Sequence, residues 1–132
     1  MKSDAVRRWH AVVESGDPAG LDDLLAEEAV FHSPIVHSPQ RGKMLTAMYL
    51  AAAMSVFRDA DFRYVREVVG ERDAVLEFAA TIDGIHINGV DMFHWDGNGR
   101  IDDFKVMVRP LKAVNLLHRM MAQMLEQMAP KD

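Results

Sequence analysis

Three stretches of the sequence carry residue types and spacings that can do chemistry. The first, GVDMFHW (Gly89 to Trp95), sets the carboxylate of Asp91 inside an otherwise apolar strand pattern. An ionised carboxylate there is costly unless it is paired, wetted by a cavity or protonated. Asp91 therefore has either a structural bond to an amide or an arginine, or a place in a binding site. The second stretch, FHSPIVHSP, carries His32 and His37, the side-chain type of general bases and metal ligands. Strand alternation sets Phe31 and Ser33 on one side and His32 on the other. His37 lies in the loop beyond Pro34 and reaches a ligand only where that loop folds over a pocket. No closely spaced histidine pair with a carboxylate partner occurs, so neither a metal centre nor any other cofactor is expected. The third stretch, DGNGR (Asp96 to Arg100), looks like a calcium loop but is too short for one and is flanked by strand patterns, which makes it a hairpin turn.

Composition narrows the function further. The chain has 132 residues, 49% of them hydrophobic, a net charge of −5 and no cysteine. That is enough apolar material for one core, and a single domain over residues 1–132 is expected. The negative charge, with no basic block, argues against nucleic acid. Without cysteine there is no disulfide, thiolate metal site or thiol nucleophile. No apolar run approaches the roughly 20 residues that span a bilayer, and the charged N-terminal stretch lacks a signal-peptide pattern. A cytoplasmic protein with no membrane association is expected.

The elements that must position these residues follow from periodicity. Val6, Trp9, Val12 and Val13 are at helical spacing, and SGDPAG stops that helix and restarts another, capped by Asp17 with Pro18 in its first turn. The second helix, PAGLDDLLAEE, is followed by a short strand ending at Pro34 and a Pro/Gly-rich loop. A third helix runs through KMLTAMYLAAAMSVF with Leu45, Met48, Tyr49, Ala52 and Val56 on one face. Four strand patterns joined by GERD, DG and DGNG then predict an antiparallel meander. A fourth, Met-rich helix spans Leu111 to Met128 with Leu111, Val114, Leu117, Met121, Met124 or Leu125, and Met128 along its stripe. Helices followed by a sheet that needs covering make an α+β domain.

Turn chemistry assigns the direction of Asp91. Asp83-Gly84 between two strand patterns signals a two-residue hairpin loop, which makes Ile82 and Ile85 cross-strand partners. Counting outward by twos, Leu76, Phe78 and Ala80 share a face with Ile87, Gly89, Asp91, Phe93 and Trp95. That is the apolar face that the helices cover. The other face carries Val75, Glu77, Ala79, Thr81, His86, Asn88, Val90, Met92 and His94. With Met107 it is apolar enough to pack a second sheet, so a homodimer is expected.

The order of LLAEEAVFHSP, a helix opened by Gly42, and the hairpin VDxFxWDxxGRI resembles the nuclear transport factor 2-like superfamily, in particular its SnoaL-like and ketosteroid-isomerase-like members. The resemblance covers nearly the whole chain. It implies a cone-shaped roll: a curved, mixed, mainly antiparallel sheet wrapped around N-terminal helices, with a C-terminal helix and a pocket between sheet and helices. It also places Asp91 where the family has a buried, protonated acid; the handling of such an acid is a known case of a carboxyl kept neutral near pH 7. The family's catalytic base corresponds to Ser33 and its helix-borne tyrosine to Trp9. Serine has no useful basicity at neutral pH, and an indole N–H only donates.

The expected site is thus Asp91 as acid, Ser33 and Trp9 orienting a ligand oxygen, and His37 or Tyr49 as stand-ins for a second proton-transfer group. The expected lining is Phe31, Tyr49, Met54, Phe57, Phe78, Phe93, Phe104, Val106 and Val108, which suits an apolar small molecule with one or two polar groups. The function expected is a pocket protein for such a ligand, with an isomerase, lyase or cyclase acting on an apolar carbonyl compound as the alternative.

Overall fold

A computed structural model describes residues 4–128. Helix α1 (Asp4–Ser15) leads through a single turn of 3₁₀ helix at Pro18–Gly20 into a short α2 (Leu21–Leu24) and strand β1 (Leu25–His32). Then follow β2 (Gln40–Arg41), α3 (Lys43–Phe57), the strands β3 (Arg63–Val69), β4 (Asp73–Ile82), β5 (Ile85–Trp95) and β6 (Ile101–Arg109), and finally α4 (Leu111–Met128). Within these bounds no helix is long and apolar enough to cross a membrane.

The strands form one sheet in the order β2-β1-β6-β5-β4-β3. All neighbours are antiparallel except β1 and β6, which run parallel. The β4–β5 hairpin has the register that its Asp-Gly turn demands: Ile82 opposes Ile85 and Leu76 opposes Asp91. Asp83 and Gly84 both have positive φ, 52° and 75°, as the favoured two-residue hairpin turn requires. The β5–β6 turn is the expected hairpin too, closed by Asp96 Oδ1 accepting from the Asn98 and Arg100 amides at 2.9 and 3.1 Å.

Two elements differ from expectation. The second helix was expected to continue to Glu28, but it ends at Leu24, and Leu25 already begins β1. Asp17 does cap, accepting from Ala19 N at 2.9 Å, yet it caps the 3₁₀ turn. Pairing with β6 begins at Leu25 opposite Ile101, and the ladder outweighs a helix preference worth a few tenths of a kcal/mol per residue. On α3 the buried residues are Thr46, Leu50, Ala52 and Val56, while Leu45 is exposed. The helix is rotated because its start is pinned to β1: Gly42 N and Thr46 Oγ1 both donate to Ala29 O. On α4 the limits agree, but the buried stripe is Ala113, Leu116 and Leu117, with Leu111 and Met128 exposed.

Two apolar clusters fill the concave side. One, beneath α1, contains Trp9, Phe31, Phe93, Trp95 and Phe104; the rings of Phe93 and Phe104 stack at 5.4 Å and Trp9 lies 4.8 Å from Phe104. The other, beneath α4, contains Phe78, Ile87, Leu116 and Leu117. Gly89 has a specific role here. A Cβ at this position would lie 2.5 Å from the Phe78 ring and 2.6 Å from Met107 O, so only glycine lets β5 pass beneath Phe78.

Candidate functional site

Asp91 projects from the middle of β5 onto the concave face and is only 7% exposed. Its side-chain partner is the Tyr64 hydroxyl, which donates to Asp91 Oδ2 at 2.6 Å. Trp9 Nε1 donates in turn to the Tyr64 oxygen at 2.9 Å. Helix α1 and strands β3 and β5 thus each contribute one member of a chain running indole, phenol, carboxyl. No arginine or lysine pairs with Asp91 among the described residues, which leaves its charge without a cationic partner. Burial pushes the Asp91 carboxyl up to about 7, against a downward pull from the Tyr64 hydrogen bond. Burial, followed by the charge of Asp91 and the bond to it, holds the Tyr64 phenol well above its ordinary value. Near neutral pH Asp91 therefore exists in both protonation states, and Tyr64 stays a donor.

Asp91 borders a cavity of about 430 Å³, whose walls include Trp9, Leu50, Met54, Phe57, Phe62, Tyr64, Phe78, Phe104 and Val106. The rim is polar: Glu14 and Gly16 from the end of α1, and the segment from Arg58 to Asp61 after α3. Arg58 Nη2 reaches Gly16 O across the opening at 3.4 Å. Asp59 and Asp61 adopt φ of 62° and 52°, and Thr81 N donates to Ala60 O between them at 2.8 Å, so the rim is tied to the end of β4.

A second hollow, of about 220 Å³, lies between β1, α3 and α4 and is lined by Phe31, Ser33, Tyr49, Val108, Leu117, Met121 and Leu125 among others. Ala53, Phe57 and Val106 border both hollows. The residues expected to form one pocket are therefore divided. Asp91, Trp9, Met54, Phe78 and Phe104 surround the larger hollow, while Ser33, Phe31, Tyr49 and Val108 surround the smaller one. Ser33 Oγ accepts from the Ile35 and Val36 amides at 3.0 and 3.4 Å, holding the turn after β1 in shape. His37 is exposed and lines neither hollow. Phe93 is also outside both, buried in the ring stack with Phe104 and Trp95.

Tyr64 is the residue that sequence reasoning missed. Its signal was present in FRYVREVV, a strand pattern with a hydroxyl-bearing aromatic, but a bulge between Tyr64 and Arg66 breaks the alternation that would have shown its direction. Tyr64 faces the cavity opposite Phe78, and after the bulge Glu67 shares its side, opposite Leu76. Glu67 Oε1 meets His10 Nε2 at 2.5 Å, and the His10 ring stands edge-on to Tyr64 at 5.2 Å. His10, next to Trp9 on α1, thus backs the phenol. Two histidines of the convex face meet carboxylates: His32 with Asp103 at 2.8 Å, and His94 with Asp102 at 2.6 Å, a hydrogen bond that raises the His94 pKa.

Known proteins place the fold and its relatives. A crystal structure of a steroid delta-isomerase from Pseudomonas aeruginosa is 36% identical, with a TM-score of 0.89 over 96% of this chain and 95% of that one. A cystatin-like-fold protein from Silicibacter pomeroyi DSS-3 is 32% identical, with a TM-score of 0.84 over 91% and 84%. SalBIII, an epoxide hydrolase/cyclase-like enzyme of pyran ring formation in salinomycin, shares the fold at 17% identity, with a TM-score of 0.65 over 82% and 90%. No curated protein gives a significant match. The model of the SnoaL-like domain matches residues 6–104, three-quarters of the chain and every member of the indole, phenol and carboxyl set: the chain belongs to the SnoaL-like family, with the α+β fold of nuclear transport factor 2-like proteins.

Proposed function

We propose that the chain is a small-molecule pocket protein that holds a largely apolar ligand by one oxygen, presented to Asp91, whose carboxyl Tyr64 positions at the wall of the larger hollow. The observation that carries this reading is the hydrogen-bonded Tyr64–Asp91 pair beside that hollow. A cavity of about 430 Å³ is within the ~300–1,000 Å³ range of small-molecule sites, and apolar walls with few convergent polar groups are their usual make-up. A neutral Asp91 can donate to a carbonyl or hydroxyl oxygen, and an ionised one can accept from a hydroxyl.

A second reading, an isomerase, lyase or cyclase acting on an apolar carbonyl compound, is favoured by two observations: an acid that titrates at about 7, suited to giving and taking a proton near neutrality, and the likeness to the P. aeruginosa steroid delta-isomerase. In this reading a protonated Asp91 donates to the oxygen of an enolate, while Tyr64 donates to the other oxygen of its carboxyl group. Ser33 does not supply the base, since its hydroxyl is engaged with backbone amides in the other hollow. The remaining carboxylates on the larger hollow are Glu14, Asp59 and Asp61, all at its exposed rim.

Both readings are tested by titrating the protein with a steroid ketone bearing an unconjugated double bond, following the emission of its two tryptophans, one of which, Trp9, lines the hollow, and the ultraviolet absorbance of the conjugated product. Saturable binding weakened in Asp91→Ala and Tyr64→Phe supports the pocket reading, and turnover supports the enzyme. Equal binding by wild type and both variants overturns the site. We also propose a homodimer through the convex face, where Asn88 bonds Glu77 and Val75, Ala79, Val90 and Met92 are half-buried in one chain. Light scattering that gives a monomer mass at micromolar concentration refutes it.

A further inference from the structure

The smaller hollow is not explained by a ligand confined beside Asp91. At about 220 Å³ it is below the size at which small-molecule sites occur on their own, about 300 Å³. Its polar side chains are few: Ser33 Oγ is taken by two amides, His118 is exposed on α4, and the Tyr49 hydroxyl is the remaining polar group on the wall. No buried side-chain polar atom lacks a partner among the described residues. The hollow is therefore suited chiefly to hydrocarbon. Its position is informative as well. Ala53 and Phe57, four residues apart and so on one face of α3, and Val106, which opposes Asp91 in the β5–β6 ladder, border both spaces. The partition is made of one alanine, one valine and one ring, and the Phe57 ring is half-buried, packed edge to face on Phe78 at 5.5 Å. A phenyl ring bordering space on two sides can turn aside without displacing backbone.

We propose that the smaller hollow is an annex of the larger one, receiving the far end of an elongated apolar ketone or alcohol whose oxygen is held by Asp91, itself positioned by Tyr64, with Phe57 as the movable partition. This rests on the reading of the larger hollow given above and adds the class of ligand: a molecule polar at one end and extended hydrocarbon at the other. The wall of the annex from Leu117 to Leu125 belongs to α4, so the Met-rich C-terminal helix sets how long a ligand the site accepts. Met121 and the neighbouring Met120 and Met124 are only partly buried, and such flexible thioether chains repack around ligands of different length.

Calorimetric titration of the whole protein with straight-chain methyl ketones, from butanone to tetradecanone, tests this. Each buried methylene should improve affinity by up to about fourfold, from its transfer free energy of about 0.8 kcal/mol. In the wild type the gain should continue past the length at which the larger hollow is filled. In Ala122→Trp, which fills the annex from an exposed position on α4, or in Leu125→Trp should the first fold poorly, affinity should level off at an intermediate length, with the long ketones losing at least tenfold. A wild-type series that levels off at the same length as these variants overturns the annex. If butanone binding is meanwhile weakened by Asp91→Ala, the reading of the larger hollow survives that result. Failure of every ketone to bind overturns both.

Discussion

Asp91→Asn should stabilise the protein, and only above a definite pH. The carboxyl titrates near 3.8 in the unfolded chain and at about 7 in the fold, where burial raises it. A group whose folded pKa is raised binds more protons in the native state between those values. Its favourable contribution is complete at the acid end and is lost as pH rises through about 7. At about 1.4 kcal/mol per pH unit, the loss across this window is at most a little over ~4 kcal/mol. The adjoining hollow admits water to one edge of the anion, so a realised effect of about 2–4 kcal/mol is expected. Asparagine keeps the shape and can still accept from Tyr64 through Oδ1, but cannot ionise. Urea denaturation of both proteins at half-unit steps from pH 4 to pH 8 should give curves that agree at the acid end and diverge through the window, the variant being the more stable at pH 8. His94, whose pKa is also raised, gives the wild type a falling stability of its own, but it is present in both proteins and cancels in the difference. Parallel curves across the whole range would show that Asp91 is not a buried, unpaired acid, and the reasoning about the site would fall with it.

Three other substitutions probe the neighbouring contacts. Tyr64→Phe removes the hydrogen bond that pulls the Asp91 pKa down and leaves the Trp9 indole N–H without its acceptor; it should cost about 1–3 kcal/mol and move the midpoint of the Asp91 titration, followed by carboxyl carbon NMR, upward. Gly89→Ala sets a methyl against Phe78 and the Met107 carbonyl; since backbone cannot yield as a side chain does, thermal melting should show a loss of at least about 1–3 kcal/mol. Ser33→Ala frees the Ile35 and Val36 amides and should cost about 0.5–1.5 kcal/mol in chemical denaturation, while butanone affinity at the larger hollow stays within twofold of wild type.

Much of this architecture was legible in short-range patterns. The Asp83-Gly84 turn leaves one register for β4 and β5, and the two-residue period carries that register to Asp91, six pairs along from Ile82–Ile85 at the turn. Local chemistry suffices there because each strand residue's face is set by the one before it. The end of α2 and the rotation of α3 were not legible, since both depend on partners distant in the chain: Leu25 on Ile101, and Thr46 on the Ala29 carbonyl. The site was half legible. Asp91 betrays itself by its type among apolar neighbours, whereas Tyr64 is hidden behind a bulge that shifts the β3–β4 register between Tyr64 and Arg66.

By itself, then, the sequence determined the order of elements, the β4–β5 register and the face that carries Asp91, because turns and periodicity act over a few residues. Only the tertiary structure decided that Tyr64 bonds Asp91, that Trp9 bonds Tyr64, and that Ser33 belongs to a different hollow from the acid. Those outcomes depend on how α1, α3 and a bulged β3 pack over a curved sheet, where segments more than fifty residues apart come within hydrogen-bond distance. The chemistry of the site comes from that packing: a carboxyl that would titrate near 3.8 in water is held near 7 by the apolar walls around it.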